Sequence, residues 1–276
     1  MNARSALFDV YGDHLQARGG EAPVAALVRL LATLDIAAPA VRTAISRMVR
    51  QEWLEPVRLD AGAAYRLTVK AERRLTDAAQ RIYRRDVADW DRRWHLLVLD
   101  RIPERRRRAR VRSGLTYLGY APLHADTWIS PHESDEVEPL LASEDVQGRR
   151  FSADHVGDDA RLTAATWDLD QLAALYRRWL TEAQLVVAEL ARSRSAEARD
   201  SDACGCDEQA FIVRSRLVHE WRKFLFLDPG LPVEVLPADW PGLRAAQFFD
   251  EHTGRLRDAA ERYVDSCLRI EGDRRE

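Results

Sequence analysis

Apolar positions recur at helical spacing in some stretches of the 276-residue chain and at every second residue in others. Over residues 3–15, Ala3, Leu7, Val10, Tyr11 and Leu15 share one face at helical spacing, and Arg18-Gly19-Gly20 supplies a left-handed stop. A second helix is predicted from Pro23, a favoured first-turn residue, to Leu34, with Val24, Leu27, Val28, Leu31 and Leu34 inward. After Asp35-Ile36-Ala37-Ala38 a third helix runs from about Pro39 to Gln51. From Trp53 to Thr68 the period falls to two. Leu54, Val57 and Leu59 precede Asp60-Ala61-Gly62, and Tyr65 and Leu67 follow it, as in a hairpin. A helix from about Lys70 to Arg84 closes this stretch.

The second stretch opens on the apolar run Trp94–Leu99, which reads as a buried strand. A helix from Pro103 to Leu118, stopped by Gly119, is followed by strand-like pieces at Tyr120–His124 and Asp126–Ser130. A short helix near Glu136–Ala142 and a strand-like piece at Arg149–Val156 complete the order βαββαβ, which predicts a small ferredoxin-like domain. The third stretch is helical. Asp168 or Asp170 caps a long helix whose Leu172, Leu175, Tyr176, Trp179, Ala183, Val186, Val187 and Leu190 recur at helical spacing. Residues 192–208 are small and polar and read as a solvated or disordered loop. A helix from about Glu208 to Leu227, a Pro-rich connection from Asp228 to Trp240 and a last helix to about Ile270 follow. The fold class expected is α+β and predominantly helical. It comprises an N-terminal winged helix-turn-helix (1–88), a ferredoxin-like middle domain (89–166) and a helical C-terminal domain (167–276) with a flexible loop at 192–208.

Composition narrows the function. A hydrophobic content of 46% with eight Trp supports buried cores, and three Cys are too few for a disulfide framework. No apolar run approaches the ~20 residues of a membrane span, and the first residues lack a signal-peptide pattern, so a cytoplasmic protein without membrane contact is expected. The net charge of −3 conceals an asymmetry. Residues 1–85 hold 14 Lys/Arg against 9 Asp/Glu, and the remainder holds 28 against 36, so the N-terminal segment is the end suited to a polyanion.

The third helix carries the chemistry. At about 100° per residue, Val41, Ala44, Ile45, Met48 and Val49 share one face; Thr43, Ser46, Arg47 and Arg50 lie opposite, with Arg42 on the flank. Guanidinium groups can donate two hydrogen bonds to a guanine edge, and hydroxyls reach bases or phosphates, as a major-groove helix requires. The hairpin adds Arg58 and Arg66, one on each strand, suited to neutralising phosphates. The run Arg105 to Arg108 with Arg110 and Arg112 is either a solvated helix face or a phosphate-binding one. Asp100 alone is a poor metal site, His219-Glu220-Trp221-Arg222-Lys223 lacks the second His of a zinc-protease motif, and Cys204-Gly205-Cys206 lacks a partner pair. Neither metal, cofactor nor catalytic residue is expected, and the chain is not read as an enzyme. The alternatives weighed are a metal-dependent nuclease on the middle domain using Asp100, and a DNA-binding adaptor without an effector.

Several segments, in order along the chain, resemble the PaaX family of repressors of phenylacetate-degradation operons. They are Ser5…Tyr11-Gly12-Asp13 with Arg18-Gly19-Gly20, Ala40 to Val49, Glu52-Trp53-Leu54, Trp128-Ile129-Ser130-Pro131-His132, Trp167 to Asp170, His219 to Arg222 and Leu236 to Gly242. The resemblance implies three domains, the middle one similar to small CRISPR-associated ferredoxin-like nucleases. It also implies a homodimer on a palindromic double-stranded operator, released by an aryl-acetyl coenzyme A thioester such as phenylacetyl-CoA. By position it makes Arg42, Thr43, Ser46, Arg47 and Arg50 the DNA readers. Trp128, His132, His219, Trp221, Arg222 and Lys223 become elements either of the effector pocket or of family-specific packing. The 192–208 loop and its Cys pair stand outside the family pattern.

Overall fold

Two small antiparallel sheets organise a mixed α+β fold in a computed structural model, which describes residues 1–59, 62–82, 90–197 and 203–269. The chain opens with α1 (Ala3–Val10), whose N-cap Asn2 accepts a hydrogen bond from the Ser5 amide. The helix widens into a π-type turn over Tyr11–Leu15 and tightens into a 3-10 turn over Gln16–Arg18. Gly19, at φ 88°, then ends it, and the Gly20 amide donates to the Leu15 carbonyl at 2.9 Å. This is the six-to-one closure that favours a residue without Cβ. β1 (Glu21–Pro23), α2 (Val24–Ala32) and α3 (Ala38–Arg50) follow.

The same closure ends α2 and α3 without glycine. Asp35 and Glu52 take the left-handed position at φ 60° and 59°, and the Ile36 and Trp53 amides reach back to Leu31 and Met48 at 3.1 and 2.9 Å. The turn between α2 and α3 is therefore short and fixed, and α3 enters with Pro39 in its first turn. β2 (Leu54–Leu59) and β3 (Gly62–Leu67) pair antiparallel from Leu54↔Leu67 to Leu59↔Gly62. β1 adds to the other side of β3 through Ala22↔Tyr65, giving the order β1-β3-β2. A three-residue strand is too short to show a period, which is why the sequence pattern missed it. α4 (Val69–Ile82) follows. The expected turn residues Asp60 and Ala61, and the last residues of the expected helix to Arg84, lie outside the described residues.

The middle segment runs β4 (Trp94–Leu99), α5 (Arg105–Tyr117), β5 (Ala121–His124), β6 (Thr127–Ser130), α6 (Val137–Ser143) and β7 (Gly148–Ala153). Its sheet order is β5-β6-β4-β7 with every neighbour antiparallel, the split-βαβ arrangement of a ferredoxin-like domain. Period-two alternation makes the sheet two-sided. Leu97, Leu99 and Trp128 pack under α5 and α6 with Val111, Leu115 and Leu141. Trp94, Leu96 and Ile129 pack on the other face against Leu162, Trp167, Leu231 and Val235. Leu162 belongs to α7 (Asp159–Thr166), an element the sequence pattern does not reveal, and Asp158 caps it by accepting from the Ala160 and Arg161 amides. Gly119 needs its missing Cβ: φ is 87°, and an added Cβ would lie 2.6 Å from the Pro229 carbonyl oxygen.

α8 (Leu169–Glu197), α9 (Ala203–Trp221) and α10 (Pro241–Arg269) complete the chain, with 3-10 turns at Arg222–Phe226 and Val233–Val235. Of the two capping candidates, Asp168 takes the role, accepting from the Gln171 amide at 2.9 Å. The expected loop at 192–208 is corrected: α8 continues to Glu197 and α9 begins at Ala203, so only 198–202 fall outside the described residues. The segment reads as polar, but its Arg, Ala and Glu are strong helix formers and it holds no Pro, so propensity outweighs the missing apolar stripe. Cys206 sits half-buried in the first turns of α9, not in a loop.

The fold divides into two compact units, one of Met1–Arg85, Trp179–Arg222 and Ala245–Glu276, the other of Asp86–Arg178 and Lys223–Arg244. In the first unit Leu7, Val10, Tyr11, Leu27, Val41, Ile45 and Met48 share one core with Phe211, Ala260, Val264 and Cys267. The N-terminal segment thus completes its core with side chains of α9 and α10. Among the described residues no helix is long and apolar enough to cross a membrane.

Candidate nucleic-acid interface

α3 has the two faces its spacing demands. Val41, Ala44, Ile45 and Met48 are buried, the least covered at 6% exposure, while Arg42, Thr43, Ser46, Arg47 and Arg50 are all exposed. Val49 lies at the edge, half-buried against the core. Among the described residues no carboxylate lies within ion-pair distance of Arg42, Arg47 or Arg50 (the same holds for exposed Arg58 on β2). The two hydroxyls behave differently from the arginines. Thr43 Oγ1 donates to the Pro39 carbonyl at 2.8 Å and Ser46 Oγ to the Arg42 carbonyl at 3.0 Å. Their protons are committed to the helix, leaving an acceptor lone pair and, at Thr43, a methyl group outward. Arg66 is also engaged, since Glu55 faces it across the β2–β3 ladder and accepts from its Nε and Nη2 at 3.1 and 2.8 Å. The pair is exposed, and Glu55 holds the guanidinium above its ordinary pKa.

The residues set apart for an effector divide between the two units. In the second unit, Trp128 lies in the sheet core beneath the Arg112 guanidinium, 6.0 Å from the ring centre. Exposed His132 places Nε2 2.9 Å from the Gly230 carbonyl, and Lys223 is exposed. In the first unit Trp221 is a packing residue. Its ring stacks on Phe249 at 4.8 Å, and its indole N–H donates to the Ile82 carbonyl at 3.2 Å. His219 and Arg222 converge on Asp9 of α1: His219 Nδ1 stands 2.7 Å from Oδ2, and Arg222 Nε stands 2.9 Å from Oδ1. Burial pushes the Asp9 carboxyl up, against the lowering effect of the His219 hydrogen bond and the Arg222 charge.

Asp9 heads a buried ionic seam that the sequence pattern does not reveal. One turn later Asp13 accepts both Nε and Nη2 of Arg214 at 2.8 and 2.6 Å; Arg214 is 1% exposed and also donates to the Thr253 carbonyl. Next comes His14, with Nδ1 3.0 Å from Glu261 and Nε2 3.4 Å from Asp13 but out of hydrogen-bond alignment. Arg18 closes the series on Glu261 and, at 2.8 Å, on Asp265. The available signal was Asp9 and Asp13 at i and i+4 on a helix whose neighbours Leu7, Val10 and Tyr11 are apolar.

The seam has a pH signature. Burial raises the Glu261 pKa, but the hydrogen bonds and charges of His14 and Arg18 outweigh it and hold the carboxyl below its ordinary value. A lowered folded-state pKa gives stability that is present above the unfolded pKa and lost as pH falls through the folded one. Asp9 has the opposite sign, its contribution being present below the unfolded pKa and lost as pH rises through the raised folded value. Glu261→Gln is expected to be less stable than wild type at neutral pH and to lose less stability on acidification below roughly pH 5. Urea midpoints across pH check this, and parallel acid limbs would contradict it.

Asp100 is exposed 3.4 Å from Arg149, and among the described residues no three His, Cys, Asp or Glu are grouped to hold a metal ion. The Cys204 side chain lies outside the described residues.

Together these features define a multi-part α+β protein with a small ferredoxin-like sheet domain and an arginine-faced helix near its start. Residues 2–71 match the family described as PaaX-like protein, residues 87–164 the PaaX protein central Cas2-like domain, and residues 167–266 the PaaX-like protein C-terminal domain. The chain belongs to the PaaX family. It is 29% identical over 272 residues to the transcriptional repressor PaaX of Escherichia coli (strain K12), covering 96% of this chain and 83% of that one. Among solved structures it is similar to the uncharacterized protein Rv0674 from Mycobacterium tuberculosis, with 25% identity, a TM-score of 0.63 and coverage of 96% and 98% of the two chains.

Proposed function

We propose that this chain is a DNA-binding transcriptional repressor whose residues 1–88 act as a winged helix, with α3 as recognition helix and the β2–β3 hairpin as wing. The observation that carries this reading is the exposed face of α3, where Arg42, Arg47 and Arg50 have no acidic partner among the described residues opposite a fully buried apolar face. The element order α1-β1-α2-α3-β2-β3 and the kinship with a protein named a transcriptional repressor support it. Arg47 and Arg50 read base edges in the major groove, Arg42 and Arg58 neutralise phosphates, and Thr43 and Ser46 offer a methyl and lone pairs. Arg66 reaches a phosphate only by exchanging Glu55 for it.

A homodimer would place two such helices about 34 Å apart on a palindromic operator. An aryl-acetyl-CoA thioester such as phenylacetyl-CoA, binding the DNA-incompetent arrangement more tightly, would shift the population off the operator. Trp128, His132, His219, Trp221, Arg222 and Lys223 stay the candidate effector residues, with residues 89–166 and 167–276 as the sensing domains, working in the cytoplasm. A reporter driven by the region upstream of the gene tests the repressor: wild type silences it, and Arg47→Ala/Arg50→Ala leaves it on. A thermal-shift panel of acyl-CoA thioesters tests the effector, because a ligand of the folded state raises apparent stability by about 2.7 kcal/mol at a hundred times its Kd. No shift with any thioester would favour an adaptor without an effector.

A further inference from the structure

The second unit carries a stripe of positive charge that its fold leaves unneutralised. α5 begins with Arg105, Arg106, Arg107 and Arg108 and has no acidic residue in its first turn, although a helix N-terminus is already the positive end of its dipole. The edge of α5 toward α6 is compensated. Arg107 lies 3.7 Å from Glu104 and 3.9 Å from Asp145, Arg110 grips Glu144 at 2.7 Å, and Gly114 sits against Leu140. The outward side is not. Arg105, Arg106, Arg108 and Arg112 are exposed, Arg112 with its guanidinium over the Trp128 ring, and among the described residues no carboxylate lies within ion-pair distance of them.

Four exposed arginines over two turns of one helix repel one another, and the fold offers them no carboxylate among the described residues, so a bound polyanion would relieve that repulsion. From Arg105 to Arg112 the stripe spans about 10 Å at 1.5 Å per residue, and a duplex presents one negative charge per about 1.7 Å of axis. The four exposed arginines are spread over two turns of one helix, whereas a small anion is held in a concave site by a few converging groups. We propose that the outward face of α5 is a second DNA-contact surface, gripping duplex phosphates without reading sequence. This rests on the DNA-binding reading above.

The test uses the full-length protein and a 60-bp duplex from the region upstream of its gene, with Kd measured by anisotropy at several salt concentrations. Arg105→Gln/Arg106→Gln/Arg108→Gln/Arg112→Gln is expected to flatten the log Kd against log salt plot by about 0.9 for each phosphate no longer neutralised. The corresponding four-Lys variant keeps the slope, which separates charge from packing. An unchanged slope in the Gln variant, while Arg47→Ala/Arg50→Ala loses binding, overturns this surface and leaves the α3 reading standing. Wild type that does not bind the duplex overturns both. Coenzyme A and an RNA duplex are titrated alongside. Loss of coenzyme A binding in the Gln variant with an unchanged DNA slope, or wild-type preference for the RNA duplex, also overturns the proposal.

Discussion

Arg214→Ala is expected to cost the first unit about 3–5 kcal/mol, a large share of the 5–15 kcal/mol that a domain typically holds. Arg214 is the most buried charge of the seam, bound to both oxygens of Asp13 and to the Thr253 carbonyl. Truncation deprives the Asp13 carboxylate, itself 6% exposed, of the guanidinium that binds both its oxygens. Desolvation is what makes the loss large, since the pair itself gains little over an apolar replacement of similar volume. The double variant Asp13→Leu/Arg214→Met is therefore expected to recover most of the stability that either single truncation loses. Urea unfolding of the four proteins closes the cycle. A single variant costing under about 1 kcal/mol, or a double variant as unstable as the singles, would show that the pair is not the clasp described. The clasp bears on function because α1 packs in the same core as Val41, Ile45 and Met48 of α3. Loosening it should weaken DNA binding without touching a DNA-facing side chain.

What was legible in the sequence followed from local rules. The α3 faces came from spacing alone, because burial at Val41, Ala44, Ile45 and Met48 repeats at helical period whatever packs upon it. The βαββαβ order was readable too, chiefly from the apolar runs of β4 and β6, whereas β7 is exposed along most of its length. Long-range partners were not. Asp9 drew no reading, Asp13 stood only in a family-like segment, and His219 and Arg222 read as half of a zinc-protease motif and as candidate effector residues. Only the fold puts His219 and Arg222 on the Asp9 carboxylate and Arg214 on Asp13, across some 200 residues of chain. Trp128 and Trp221 drew attention as aromatic members of motifs, yet their rings are packed in cores at 6% and 4% exposure. The committed hydroxyl protons of Thr43 and Ser46 and the Arg66–Glu55 pair depend on rotamers and cross-strand register, which composition does not encode.

Arg47→Ala/Arg50→Ala carries the second large effect. Both side chains are exposed, so stability is expected to stay within about 0.5 kcal/mol of wild type, as for surface substitutions without a structural partner. Each guanidinium that reads a base edge contributes about 1–3 kcal/mol of discrimination, and each that meets a phosphate adds about 0.9 to the salt slope. Their combined loss should weaken binding by roughly 30-fold or more and reduce preference over unrelated DNA. Arg66→Ala, by contrast, removes a guanidinium already held by Glu55 and is expected to matter least among the arginines of this surface.

The decisive measurement is a mobility-shift titration of wild type and Arg47→Ala/Arg50→Ala on the upstream fragment at fixed salt, with an unrelated duplex as competitor. The wild type should form a complex that resists competition, and the folded double variant should need at least an order of magnitude more protein and yield to the competitor. Equal affinity and equal resistance in the two proteins would contradict α3 as the DNA-reading helix.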